Sequence, residues 1–189
     1  LLHGLNERKW DKYYTWAHRL AKDTGKSVIL FPFSFHLDRG LPDWVNRNIL
    51  VEKAERRKQE FTEEENLTTF LNNTLSDRLT ESPERFFLSG LQTANDIVSV
   101  LTSMRDGKHT LFEKGTKTDI FAYSIGGLLG QVLYMSNPEN LFEDSKLFLF
   151  CGGSVFEDMN GVSKVIMDAP AYKTIYSYYM TKFEEDIKK

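Results

Sequence analysis

The stretch "TDIFAYSIGGLLGQ", Thr118 to Gln131, decides the fold. "DIFAYS" is short and continuously apolar, the pattern of a buried strand, and "IGGLLGQVLYM" is a helix apolar almost all round, hence expected to be buried. No loop separates the two, and Ser124 stands at the joint. A serine in that place has two readings. It caps the helix, as serine commonly does, or it is a nucleophile held on a strained strand-to-helix turn. The second reading requires tiny side chains two positions before and two after, because the turn crowds both. Ala122 and Gly126 supply them, with Gly127 following. A simple cap would need none of these, so the spacing favours the nucleophile. On that reading Oγ is lifted above the sheet edge. The Ile125 N–H at the helix start faces any oxyanion formed there, and the helix dipole adds to the field.

Working outward, Leu1 and Leu2 look like the end of a buried strand, followed by the polar loop "HGLNERK". Trp10, Tyr13, Tyr14, Ala17, Leu20 and Ala21 then recur at helical steps, and Gly25 suits the left-handed residue that closes a helix. "SVILFPFSF", Ser27 to Phe35, is expected to be a second buried strand, so the first segment reads as a βαβ unit with parallel strands. Ser82-Pro83 opens a helix that Gly107 terminates, with Phe87, Leu91, Ala94, Val98 and Leu101 on its inner face. "KLFLFCGG" is a fourth strand ending in a packed Cys151. A tail helix from about Pro170 carries the stripe Tyr172, Tyr176, Tyr179 and Phe183, which reads as core or lid packing. The strongly charged texture of 36–80 predicts an inserted, solvated helical segment. The fold class expected is α/β, a mostly parallel sheet with helices on both faces, in one domain over 1–189 with an insertion at 36–80 and a lid or cap helix over 156–189.

Composition removes several function classes. The chain has 189 residues, 41% apolar, enough for a sizeable core. A net charge of -3, with no basic stripe interleaved with aromatics, predicts no nucleic-acid partner. The single cysteine excludes an internal disulfide framework and a cysteine-rich zinc site, and no two histidines lie at metal-ligand spacing, so no metal is predicted. The GxxxxGK[ST] and GxGxxG spacings are absent, and no cofactor is predicted. No stretch reaches the roughly 20 apolar residues of a membrane span. Without a signal peptide a cytoplasmic location is the expectation. The chain opens "LLHGLNERKW", as if in mid-strand, and is expected to be a piece of a longer protein.

In their order along the chain these features resemble the α/β-hydrolase family. His3-Gly4 after the first strand is similar to the family's "HG" loop, and the resemblance implies that the backbone N–H of Leu5 is the second oxyanion donor beside that of Ile125. Ser124 matches the nucleophile position, with Ala122 where many members have glycine. The implied activity is hydrolysis of an ester or related acyl bond of a small-molecule substrate through an acyl–serine intermediate. Acyl transfer and a non-catalytic binding scaffold on the same fold are the alternatives. The family's base is a histidine that follows the serine. Here His3, His18, His36 and His109 all precede it. The base is therefore expected outside this chain, with His36, just beyond a strand's carboxyl end, as the substitute. For the acid, Glu157 and Asp158 in "GGSVFEDMNG" are the residues in place, although a polar turn explains the same letters.

Overall fold

The computed structural model describes residues 1–152 and 160–188, which gather into two compact units, 1–39 with 89–152 and 40–88 with 160–188. The helices are α1 (Asp11–Thr24), α2 (Arg47–Glu60), α3 (Phe70–Glu81), α4 (Glu84–Arg105), α5 (Ile125–Ser136), α6 (Ala169–Thr181) and α7 (Phe183–Asp186), and the paired strands are β1 (Ile120–Tyr123) and β2 (Leu147–Phe150). The protein is thus a mixed α/β chain with a parallel sheet.

The first unit is built on that sheet. β1 and β2 pair in register from Ile120↔Leu147 to Tyr123↔Phe150. On the other side of β1, Leu2 donates its N–H to the Phe121 carbonyl at 2.8 Å and accepts from the Tyr123 N–H at 3.0 Å. Leu2 also bridges Phe31 in parallel. The backbone order across the sheet is therefore Phe31, Leu2, β1, β2. Alternation along β1 assigns the faces. Ile120 and Ala122 lie under α5 at Gly130, while Phe121, Tyr123 and Phe150 meet Trp16 of α1 on the opposite side. Ile97, Leu101 and Met104 of α4 join Leu129 and Leu133 of α5 in one buried cluster with Leu2, Ile120 and Ala122. Gly25 closes α1 in the left-handed conformation, φ 67°, its N–H on the Ala21 carbonyl.

Four expectations need correction here. "SVILFPFSF" does not form a continuous strand; it keeps one bridge, at Phe31. Pro32 has no N–H to offer, the Phe33 N–H goes to the His3 ring, and Phe35 turns to φ 65°. The fourth strand is not buried: Phe148 is 58% exposed, and Leu149, Phe150 and Cys151 are exposed too, Cys151 at φ 50°. Nor is α5 buried all round, since Val132, Tyr134 and Met135 face solvent. The inner face of α4 is Thr93, Ile97, Leu101 and Met104, with Leu91 exposed. Of the expected face Ala94, Val98 and Leu101 do pack on the core; Leu91 does not. Polar Thr93 is fully buried because its hydroxyl accepts from the Ser34 N–H at 2.9 Å and donates to the Ser89 carbonyl at 2.6 Å.

The second unit is helical, and polar groups are buried in it beside apolar ones such as Leu50, Leu75, Leu79 and Ile175. The segment expected to be solvated buries seven consecutive residues of α3, Asn73 to Leu79. At its centre Arg57 of α2, 1% exposed, makes a bidentate pair with Asp168, at 2.6 and 2.7 Å, and a third bond to Thr80. Asp168 also caps α6 through the Ala171 N–H, and its own N–H donates to the Ser76 hydroxyl. Asp77 receives Lys53 and Arg56. The tail stripe is split: Tyr172 and Tyr176 are exposed, while Tyr179 and Phe183 are half-buried and packed on each other, and α6 buries Ala171, Ile175 and Tyr178.

Removing one member of a buried ion pair strands the other charge, at a cost of about 3–5 kcal/mol. Arg57→Met is predicted to destabilise the second unit by that order, measured by urea unfolding followed by circular dichroism. A loss below about 1 kcal/mol would mean the pair contributes like a surface bridge.

Candidate active site

Ser124 sits at φ 55°, ψ −122°, a region that costs a non-glycine residue about 1–3 kcal/mol. Its N–H is held by the Phe150 carbonyl at 3.1 Å, and its carbonyl accepts from the Gly127 N–H at 2.8 Å. The side chain makes no cap hydrogen bond and is half-buried. The crowding inferred from the spacing is visible at the flanks. A Cβ on Gly126 would stand 2.8 Å from the carbonyl oxygens of both Leu2 and His3, and one on Gly127 would stand 3.0 Å from the Gly152 Cα. Ala122 is fully buried, 3.2 Å from where a Cβ on Gly130 would lie. Ile125 opens α5 directly after the serine.

The His3-Gly4 loop is fixed by side chains. The His3 ring is fully buried; its Nε2 accepts from the Phe33 N–H at 2.9 Å, so Nδ1 carries the proton and donates to the Gly4 carbonyl at 2.8 Å. Burial, aided by the charges of His36 and Lys12 and opposed by the Gly4 carbonyl, lowers its pKa to about 3. With both nitrogens engaged, His3 positions the loop and has no lone pair for a substrate. The Gly4 N–H donates to the Tyr13 hydroxyl at 2.9 Å, which donates to Glu7 at 2.7 Å, and Lys12 pairs with Glu7. Burial raises the Tyr13 hydroxyl's pKa, keeping it protonated and able to bridge. Leu5 follows this clamped glycine. Among the described residues no acceptor takes up the N–H of Leu5 or of Ile125.

Parallel strands put the loops after Leu2, Phe31, β1 and β2 on one rim, the carboxyl edge where α/β sheets bind ligands. His36 belongs to that rim. Its Nδ1 lies 3.0 Å from the Ser34 carbonyl, and its ring centroid is 5.4 Å from that of His3. Among the described residues no histidine nitrogen is hydrogen-bonded to the Ser124 hydroxyl. Glu157 and Asp158 lie outside the described residues. Sequence reasoning missed the roles of Tyr13 and Glu7. Tyr13 was legible as an inward helix position, but its hydroxyl's partners depend on how the loop folds back. An apolar cavity bounded by Leu1, Ile29, Thr118, Leu133 and Phe142 lies at the opposite, amino ends of the strands, away from Ser124. Among the described residues no helix is long and apolar enough to cross a membrane.

Fold and site together define a mixed α/β protein with a strained serine at the carboxyl rim of a parallel sheet. The chain belongs to a family of unknown function, DUF6051, whose family model matches residues 1–189. Comparison with curated proteins finds no match, and neither does comparison with solved structures.

Two predictions follow from this geometry. His3 has a folded pKa near 3 against an ordinary value of 6.5, so between those pH values the unfolded chain holds a proton that the folded chain does not. Stability is therefore complete above about pH 6.5 and is lost as pH falls towards 3, at up to about 1.4 kcal/mol per pH unit. Urea unfolding at pH 7 and pH 5.5 should differ by about 1 kcal/mol, and His3→Asn should flatten that slope; equal wild-type values at the two pH values would contradict it. Gly126→Ala must push α5 off the Leu2 and His3 carbonyls, and is expected to lower stability by about 1–3 kcal/mol in thermal or urea unfolding. A change within about 0.5 kcal/mol would show that the contact yields freely.

Proposed function

We propose that the protein is a serine hydrolase with an incomplete α/β-hydrolase core, cleaving an ester or related acyl bond through an acyl–Ser124 intermediate. The observation that carries this reading is the backbone of Ser124, strained at φ 55° on a loopless strand-to-helix joint, with a hydroxyl that does not cap its helix. Strain persists where surrounding structure enforces it, and such residues cluster at active sites. The sheet order supports the reading as well. The strand ending in His3-Gly4 lies beside the strand ending in Ser124, so the Leu5 and Ile125 N–H groups belong to adjacent strand ends.

In the proposed reaction the Ser124 Oγ bonds to the substrate's carbonyl carbon while its proton passes to a histidine. The carbonyl oxygen becomes an oxyanion held by the Leu5 and Ile125 N–H groups. As the tetrahedral species collapses, the bond to the alcohol breaks and the histidine returns the proton to it. Water repeats the sequence and releases the acid; an alcohol or amine in its place gives acyl transfer. His3 cannot serve as base. His36, or a histidine beyond residues 1–189, takes that role. The lack of any histidine bonded to Ser124 among the described residues favours one rival, a non-catalytic binding protein on the same scaffold.

A fluorophosphonate probe separates the two. Incubated with folded protein and mapped by peptide mass, the label is expected on Ser124 and absent from Ser124→Ala. Absence of label from folded wild-type protein would end the hydrolase reading. Labelling that disappears in His36→Ala identifies the base; labelling that survives places it elsewhere.

A further inference from the structure

The loop that carries Leu5 also carries a cation with no counter-charge among the described residues. Arg8 lies three residues beyond Leu5, and the Glu7 carbonyl beside it accepts from the Leu37 N–H, tying this stretch to the loop that follows Phe31. The Arg8 Nη2 is sealed from solvent and has no hydrogen-bond acceptor. Three carboxylates of these segments are engaged elsewhere: Glu7 with Lys12 and Tyr13, Asp38 with the Trp10 indole at 2.9 Å, Asp96 with Arg39 at 2.7 Å. Desolvation accordingly lowers the Arg8 pKa from its ordinary value. A guanidinium withdrawn from water without a partner is unfavourable. Arg57 shows what this chain does with a buried guanidinium for structural purposes: it saturates it with Asp168 and Thr80. Arg8, half-buried as a residue, has no such partners among the described residues.

We infer that Arg8 is an anion-recognition group, and that the ligand of this rim carries a carboxylate or phosphate that completes the guanidinium. The fork of N–H donors matches a two-oxygen anion, which would bind it in bidentate fashion. Resting on the serine reading, this narrows the substrate class to acyl compounds with an anionic group within reach of the Leu5 loop.

Two measurements test the inference and keep it separate from the serine chemistry. In the first, glutarate and inorganic phosphate are titrated in turn into wild-type protein, Arg8→Gln and Arg8→Lys, with binding followed by calorimetry and folding checked by thermal melts. Saturable binding is expected in wild type, roughly tenfold or more weaker in Arg8→Gln and partly retained in Arg8→Lys. Preference between the two anions identifies the group. No saturable binding of either to folded wild type overturns the inference, as does unchanged binding in folded Arg8→Gln. In the second, the rates at which a neutral and a carboxylate-bearing fluorophosphonate label Ser124 are compared. Their ratio should favour the anionic probe in wild type and fall about tenfold in Arg8→Gln. Anion binding through Arg8 without any labelling would sink the serine reading and leave the anion site standing. Labelling with an unchanged ratio would do the reverse.

Discussion

The first unit depends on how closely α5 approaches the end of the Leu2 strand. At Gly126 the helix touches the carbonyl oxygens of Leu2 and His3 so tightly that a single added carbon would collide with both. That contact sets the angle at which β1 runs into α5, and the angle leaves Ser124 no relaxed conformation. The strain is held from three sides: the Phe150 carbonyl on the Ser124 N–H, the Gly127 N–H on its carbonyl, and the buried Ala122 behind it. Nothing about serine itself favours φ 55°. The residue occupies it because its neighbours are small enough to close around it.

The same contact links the joint to the His3-Gly4 loop. His3 contributes a carbonyl to the Gly126 approach and a ring to the Phe33 N–H, so one residue connects three consecutive pieces of the sheet edge. The ring performs this role only when neutral, with its proton on Nδ1. Tyr13 completes the arrangement from α1: a phenol inside the fold satisfies the Gly4 N–H that would otherwise be orphaned, Glu7 accepts from the phenol, and Lys12 pairs with Glu7. The loop preceding Leu5 is thereby rigid at its start, which a site on a loop requires if its N–H groups are to aim at one point.

What could be read from the letters was local and periodic. The joint at Ser124, the glycines around it, the helix stop at Gly25 and the parallel α/β texture all follow from spacing and steric size. What could not be read was set by partners far along the chain. Ser27 to Phe35 has the composition of a strand, but Pro32 and the claim of His3 on the Phe33 N–H leave it one bridge. Leu147 to Phe150 has the composition of a central strand, yet it is exposed among the described residues, because apolar content records what a strand could bury and not what covers it. The largest miss was α3. Its Asn, Thr, Ser, Asp and Arg residues suggest solvent, but they are satisfied inside: Asp77 receives Lys53 and Arg56, the Ser76 hydroxyl accepts from the Asp168 N–H, Asn73 donates to Asn66, and Thr74 and Arg78 donate to carbonyls of the helix itself.

Charge satisfaction divides the buried and half-buried arginines into two kinds. Arg57 has every direction filled by protein and an aromatic ring, Phe61, beneath its plane at 4.8 Å. Its cost of desolvation is met within the fold, so it specifies how α2, α3 and α6 meet and has nothing left for a ligand. Arg8 has the opposite balance: partial desolvation and no acceptor among the described residues. A fold that only needed to be stable would gain by replacing Arg8 with an apolar side chain of similar length, since that removes the unpaired charge at no loss of contacts. Its presence in the same loop as Leu5 makes sense where the missing acceptor is brought from outside.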